Sequence, residues 1–341
     1  MIALCRAASP YGGIYISHMR NEGNNINAAV NELITIAREA SIPAEIYHMK
    51  IAGKNNWPKL DSVIRQVENA RSHGLKITAD MYTYLAASTG LTTAFPPSLQ
   101  DGGFGQLRKR LQNPEIRALM AKAMDSDPSG WENFYHGCGS PDNVLLLSFK
   151  QDSLKKYTGK SLAQAAGIRK TSPEATAMDL IVQDSTRIQV AYFLMNEANV
   201  KKQIALPWMS FCSDEAAYTD SGIFLKSSAH PRAYGNFVRV LGKYSRDEKV
   251  ITLQDAIRKL TYLPATNLKL RKRGLLAKGY YADIVIFDPL KVEDHATYAQ
   301  PHQYATGINN VFVNGALVLD NGKHTGAVPG RFIKGPGYGR K

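Results

Sequence analysis

Only three cysteines occur in 341 residues, at Cys5, Cys138 and Cys212, and no two are closely spaced. That spacing excludes a disulfide framework and a cysteine-built structural zinc knuckle, and it fits a reducing compartment. Long hydrophobic runs are also lacking: the apolar stretches are of strand length, so no membrane partner is expected. The opening residues, MIALCRAASPYGG, contain no basic segment leading into a sustained apolar core. No signal peptide is visible there, and a cytoplasmic location is expected. Basic blocks interleaved with aromatics are missing too. The net charge is +13, but Lys and Arg are scattered, with clusters only in LRKR at 107–110 and KLRKRG at 269–274. This reads as a solvated basic surface, and no nucleic-acid partner is expected. KYTGKS imitates the end of a phosphate loop, but the glycine that should stand five positions before Gly159 is absent.

What is present, at 44% hydrophobic, suffices for one large domain with an appendage. GGIYISH reads as a strand and NINAAVNELITIAREAS as an amphipathic helix. IPAEIYH is a second strand, KLDSVIRQVENARSHG a helix closed by Gly74, and LKITADMYTY a third strand. Repeated strand and helix with short connections predicts a parallel sheet or a (β/α) barrel. The rhythm breaks after Tyr84. Residues 85–206 read as a mostly helical, polar insertion with turn clusters such as NPEI and TSPEA and one apolar run, NVLLLSF. It springs from a strand end, where a lid would sit. LPWMSFCSD restores the barrel rhythm with a strand ending at Asp214, and residues 207–275 hold this strand and the helices after it. Residues 276–341 contain short strands with Asn-Gly turns at 314–315 and 321–322, the signature of a small β domain. The fold class is therefore α/β.

Catalytic groups in a (β/α) barrel lie at the carboxyl ends of the strands. Here those ends carry His18, His48, Tyr82 with Tyr84, and Asp214. Two imidazoles delivered by neighbouring βα units, with a carboxylate at a third strand end, suit a catalytic zinc that keeps a position open for water. His73 falls at a helix end and reads as a cap, and His136, His295, His302 and His324 lie in loop-like contexts with no metal role.

The motifs GGIYISHMRNEG, EIYHMK, ADMYTYLAASTG, SDEA, HPRAYGNFVRVLGKY and GYYADIVIFDP…PHQYATGINNVFVNG…HTGAVPGR occur in one order. Together they resemble the N-acyl-D-amino-acid deacylases (D-aminoacylases) of the amidohydrolase superfamily, from about residue 1 to 335. The resemblance implies a metal-dependent (β/α)8 barrel with a lid and a small β-sandwich-like domain, and a zinc ion as cofactor. His18 and His48 match the metal-binding histidines after the fifth and sixth barrel strands. Asp214 matches the aspartate after the eighth, which activates water and protonates the leaving amine. Arg232 matches the arginine that pairs with the substrate's α-carboxylate, and Lys50, Tyr82 and Ser88 fall where similar enzymes hold the carboxylate and polarise the amide. The substrate implied is a small N-acyl-D-amino acid. Glu215 stands where such enzymes usually carry a small residue, and Asn21 replaces a common Asp.

No H-x-H occurs in the sequence, and nothing matches the metal-ligating Cys or Lys after the fourth strand. On that reading the chain corresponds to the carboxyl-terminal half of the barrel, and full activity calls for a missing amino-terminal half supplied in trans. Two other readings stand beside it: an inactive remnant or ligand-binding pseudoenzyme, and an amidohydrolase acting on another acylated or cyclic amide.

Overall fold

The computed structural model describes residues 1–127 and 130–339. Helix α1 (Ile2–Ala8) precedes an alternation of β1 (Tyr15–Ser17), α2 (Ile26–Glu39), β2 (Ala44–Ile46), α3 (Leu60–Ser72) and β3 (Ile77–Met81). The interiors of α2 and α3 contain no Gly or Pro, and their apolar residues recur every three or four positions. Val30, Leu33, Ile34 and Ala37 thus line one face of α2, and Val63, Ile64, Val67 and Ala70 one face of α3. Gly74, at φ +86°, ends the second helix in the left-handed region open to glycine, and His73 Nδ1 lies 2.8 Å from the Asn69 carbonyl oxygen as a cap.

Residues 85–206 follow as an insertion. It holds β4 (Ala86–Gly90), helices α4 (Phe104–Arg110), α5 (Pro114–Met124) and α6 (Phe134–Gly137), and then β5 (Val144–Ser148). Helices α7 (Leu162–Arg169) and α8 (Pro173–Asp184), β6 (Gln189–Phe193) and α9 (Glu197–Ala205) complete it. The insertion is not simply helical: β4, β6 and β5 form an antiparallel sheet in that order. It has its own core around Leu91, Phe95, Met120, Leu146, Leu180 and Tyr192. The run NVLLLSF became β5, but AASTG has weak strand propensity, and only pairing with β6 makes it a strand.

The strand after the insertion, β7 (Met209–Phe211), pairs with β3 and completes a parallel sheet of order β1-β2-β3-β7. Register places Ile46 opposite Ala79 and Ala79 opposite Met209. With alternation, Ala44, Ile46, Ile77, Ala79, Met81, Met209 and Phe211 face one side, where they pack against α2 and α3 in the main core. Each fully buried Leu, Ile or Val there contributes roughly 1.5–3 kcal/mol. The other side carries Ile16, Glu45, Thr78, Asp80 and Ser210. Among the described residues β1 and β7 each pair on one side only, so the sheet does not close on itself.

Helix α10 (Arg232–Arg239) runs into a π-helical stretch, Val240–Asp247, followed by α11 (Leu253–Leu260) and α12 (Tyr262–Asn267). The chain ends in β8 (Ile284–Phe287), β9 (Ile308–Val313), β10 (Ala316–Asp320) and β11 (Lys323–His324), one antiparallel sheet of order β11-β10-β9-β8. Asn314–Gly315 and Asn321–Gly322 all have positive φ, as Asn-Gly hairpin turns require. The expected sandwich is a single sheet among the described residues, and Val285 and Ile286, on its opposite faces, remain about half exposed. No described helix is long and apolar enough to cross a membrane.

The carboxyl-terminal region is fastened to the strand ends through Asp294. It accepts a hydrogen bond from the Tyr84 hydroxyl at 2.6 Å and pairs with Arg239 at 3.3 Å. Gly235 lies against this contact: a Cβ there would stand 1.8 Å from Asp294 Oδ1 and 2.4 Å from the Tyr84 hydroxyl. Gly235→Ala is therefore expected to destabilise the chain by about 1–3 kcal/mol, read as a lowered midpoint in thermal unfolding. An unchanged midpoint would show that this contact does not hold the region in place.

Candidate metal and substrate site at the strand ends

Four parallel strands deliver side chains to one rim. The loop after β1 presents His18 and Glu22, the segment after β2 presents His48 and Lys50, the end of β3 presents Tyr82, and the segment after β7 presents Asp214 and Glu215. His48 and Asp214 both have positive φ, +38° and +50°, a conformation sparsely populated by non-glycine residues that recurs where side chains are aimed for function.

The tightest cluster joins the first two strand ends. His18 Nδ1 faces His48 Nε2 at 3.0 Å. Behind His48, its Nδ1 lies 3.2 Å from Glu22 Oε1 and 2.6 Å from Lys50 Nζ, and Lys50 Nζ is also 2.6 Å from Glu22 Oε1. Glu22, His48 and Lys50 are buried, whereas His18 is exposed. Burial would raise the Glu22 carboxyl, but the Lys50 charge and the two histidines outweigh it and hold the group at about 2. The asparagine at position 21 shapes the same loop, its Oδ1 accepting from the backbone N–H of Gly23 and Asn25.

His18, Glu22 and His48 offer one ligand atom each, all within 4.8 Å of one another. Two nitrogens sharing a tetrahedral zinc stand about 3.3 Å apart, close to the observed 3.0 Å. With Lys50 donating to His48 Nδ1, the ring proton sits on Nε2 and points at His18. Moving that proton to Nδ1, against Glu22, with the Lys50 ammonium swung off Nδ1 and onto Glu22, frees Nε2 to face an ion beside His18, with Glu22 as the carboxylate that orients the ring. Imidazole and carboxylate suit zinc in donor chemistry, and the residues present fit such an ion.

Asp214 lies outside that set. Its Oδ2 is 2.8 Å from Arg232 Nη1, and Glu215 Oε1 is 3.5 Å from Arg232 Nη2. Arg232 opens α10, is 3% exposed, and stacks its guanidinium 4.4 Å from the centroid of the Tyr82 ring, with Lys50 5.5 Å away on the same ring. Arg232 Nε and the Tyr82 hydroxyl are buried without a hydrogen-bond partner among the described residues. Burial keeps the Tyr82 phenol protonated far above its ordinary range. His230 positions Arg232: its Nδ1 accepts from the Arg232 backbone N–H at 3.1 Å while Nε2 lies 3.0 Å from the Ala86 carbonyl, and burial keeps the ring neutral. Ser88, on β4, accepts from Gln189 Nε2 at 2.9 Å and lines a cavity with Glu215.

A family model described as "Amidohydrolase family" matches residues 225–319. The D-aminoacylase of Alcaligenes xylosoxydans xylosoxydans is 32% identical over 333 residues, 98% of this chain and 57% of that protein. A solved structure of D-aminoacylase superposes with a TM-score of 0.72 at 30% identity, covering 96% of this chain and 57% of that one. The N-acyl-D-glutamate deacylase of Bordetella bronchiseptica, complexed with zinc and a phosphonate that mimics the tetrahedral intermediate, gives 0.72 at 27% identity, with 93% and 55% covered. Over nearly its whole length this chain is similar to the N-acyl-D-amino-acid deacylases. It spans a little over half the length of the deacylases it matches.

Sequence reasoning about this deacylase homologue passed over two acids. Glu22 was available as the residue four places after His18 in HMRNEG. Glu132 carried no signal: it lies in the insertion and accepts from the Glu22 backbone N–H at 2.5 Å. Burial, then the Glu22 charge, hold it up at about 7.

Two outcomes are expected of this charge arrangement. Glu22→Gln removes the partner of a buried ammonium and is expected to destabilise the chain by about 3–5 kcal/mol at pH 7, measured by denaturant unfolding. The wild-type contribution is present above pH 4.5 and is lost as pH falls toward 2, the direction set by a depressed carboxyl. A loss at pH 7 below about 1 kcal/mol would place the ion pair in solvent-like surroundings. Glu45 behaves oppositely. Burial, opposed by the Thr78 hydrogen bond and aided by neighbouring Asp80, raises it from 4.5 to about 7. The folded chain then holds a proton that the unfolded chain has released, so stability falls as pH rises through this window. Glu45→Gln is expected to be the more stable form above pH 8, by on the order of 1–2 kcal/mol, with no such gain at pH 4. Parallel stability–pH curves would refute the shared proton.

Proposed function

We propose that the chain carries part of the machinery of a zinc-dependent amide hydrolase that releases D-amino acids and carboxylates from N-acyl-D-amino acids. The observation that carries this reading is the facing pair His18 Nδ1 and His48 Nε2 beside the Asp214–Arg232 contact. The deacylase relatives, one of them solved with zinc and a tetrahedral mimic, support it. The four parallel strands then form one side of a (β/α)8 barrel and residues 85–206 its lid.

His18 and His48 would hold the zinc, with Glu22 orienting His48 and Asp214 alongside. Bound there, zinc supplies Lewis-acid polarisation of the scissile carbonyl and a water of lowered pKa. The chain's own groups do the rest. Arg232 turns its fork to the substrate's α-carboxylate, a bidentate task that suits guanidinium, and Lys50 adds charge on the same side. As Arg232 engages the substrate it releases Asp214, whose carboxylate takes a proton from the attacking water and returns it to the leaving amine nitrogen. Tyr82, a buried protonated phenol without a partner among the described residues, donates to the oxygen on which charge develops. Ser88 lines the adjoining cavity. Among the described residues β1 and β7 each have an unpaired edge, where further strands would continue the barrel.

The Lys50 ammonium, lodged 2.6 Å from both Glu22 and His48, favours a second reading: a protein that binds the acylated acid without zinc. Metal analysis of the purified chain, with N-acetyl-D-methionine hydrolysis in the same samples, separates the two. Hydrolase function predicts near-stoichiometric zinc, and weakening of zinc affinity by at least about 100-fold in His48→Ala with matching loss of turnover. A folded chain that retains no zinc and cleaves nothing would leave the binding reading alone.

A further inference from the structure

A cavity of about 370 Å³ opens beside Arg232, lined by Ser88, Ser148, Gln189, Glu215, Tyr218 and Phe224 among others. Among the described residues no Lys, Arg or Asp lines it; His230 and His302 do, and Glu215 is its one acidic side chain. Tyr218 donates to Glu215 Oε2 at 3.4 Å, and Arg232 Nη2 lies 3.5 Å from Oε1. Asp214 already holds the other end of that guanidinium.

One cation therefore faces two carboxylates before any substrate arrives. An α-carboxylate that takes the place of Asp214 on Arg232 brings a third negative charge beside the other two, and the Lys50 ammonium, on the same Tyr82 ring, is committed to Glu22 at 2.6 Å. Three negative charges close to one buried guanidinium repel one another strongly. A positive charge brought into the cavity against Glu215 restores the balance. Arg232 Nε, buried and without a partner among the described residues, marks the same guanidinium as open to a ligand group. The hydroxyl and amide walls of the cavity offer oxygen acceptors to such a cation.

We propose that this cavity receives the side chain of the D-residue, and that Glu215 makes it select a cationic side chain, of the lysine or arginine kind, over an acidic one. The assignment rests on the acyl-D-amino-acid reading above and narrows it to one charge class.

Calorimetric titration of the full 341-residue chain tests it with three ligands: N-acetyl-D-lysine, N-acetyl-D-norleucine, which lacks the ammonium, and N-acetyl-D-glutamate. The lysine derivative is expected to bind at least about tenfold tighter than the norleucine derivative, and the glutamate derivative most weakly. In Glu215→Gln that advantage is expected to shrink to about twofold or less, with the glutamate derivative gaining. Glu215→Ala, with thermal unfolding as a check on folding, is expected to move affinities in the same direction. Equal affinity for the lysine and norleucine derivatives, or a lysine preference that survives in both variants, would overturn charge selection while leaving acyl-D-amino-acid binding intact. A folded chain that binds none of the three would overturn both.

Discussion

The contact on which the rim depends is the buried pairing of Glu22 with Lys50. It ties the loop after β1 to the segment after β2 and fixes His18 and His48 relative to each other. The loop is held from behind as well: the Glu22 carbonyl accepts from the Ala52 N–H at 2.7 Å, and its N–H reaches Glu132 of the insertion. Three segments distant in sequence thus meet at one residue, Glu22, through its carboxylate and its backbone. Two charges out of water persist only because each answers the other and the remaining polar atoms find partners.

A second constraint comes from the sheet. Parallel sheets are usually apolar on both faces, but here the face away from α2 and α3 carries Glu45, Thr78, Asp80 and Ser210. Thr78 and Asn267 donate to Glu45, and the His48 backbone N–H donates to Asp80 at 2.6 Å. Burial raises both carboxyls, so Glu45 can hold a proton between itself and Asp80. The polar face is therefore satisfied from within, and it supports the backbone that carries His48.

The carboxyl-terminal helices lock the other half of the rim. Asn236 on α10 accepts from the Thr83 N–H and hydroxyl and donates to the Cys212 carbonyl, joining the ends of β3 and β7. The Tyr244 hydroxyl donates to the Thr83 carbonyl. Arg232 and Asp214 are aligned by this framework and by neutral His230, so the pocket is built by elements after the sheet as much as by the sheet. The cysteines form no disulfide: Cys5 and Cys138 are buried, Cys212 is partly buried, and all three are free thiols.

Much of this was legible in the chain itself. The spacing of apolar residues marks α2 and α3, the position of His18 and His48 after apolar runs marks the strand ends, and Asn-Gly marks the final hairpins. These features are local, set by periodicity and turn chemistry within a dozen residues. The tertiary structure alone decided that β4, β5 and β6 form a sheet, because weak strand formers such as AASTG depend on a partner 100 residues away. It also decided that Glu22 joins the histidines, that Asp214 turns to Arg232, and that Glu132 and Glu215 come to face the same rim. Electrostatic pairing acts through space between groups brought together by packing, and no local pattern in a sequence encodes which charge will stand opposite which.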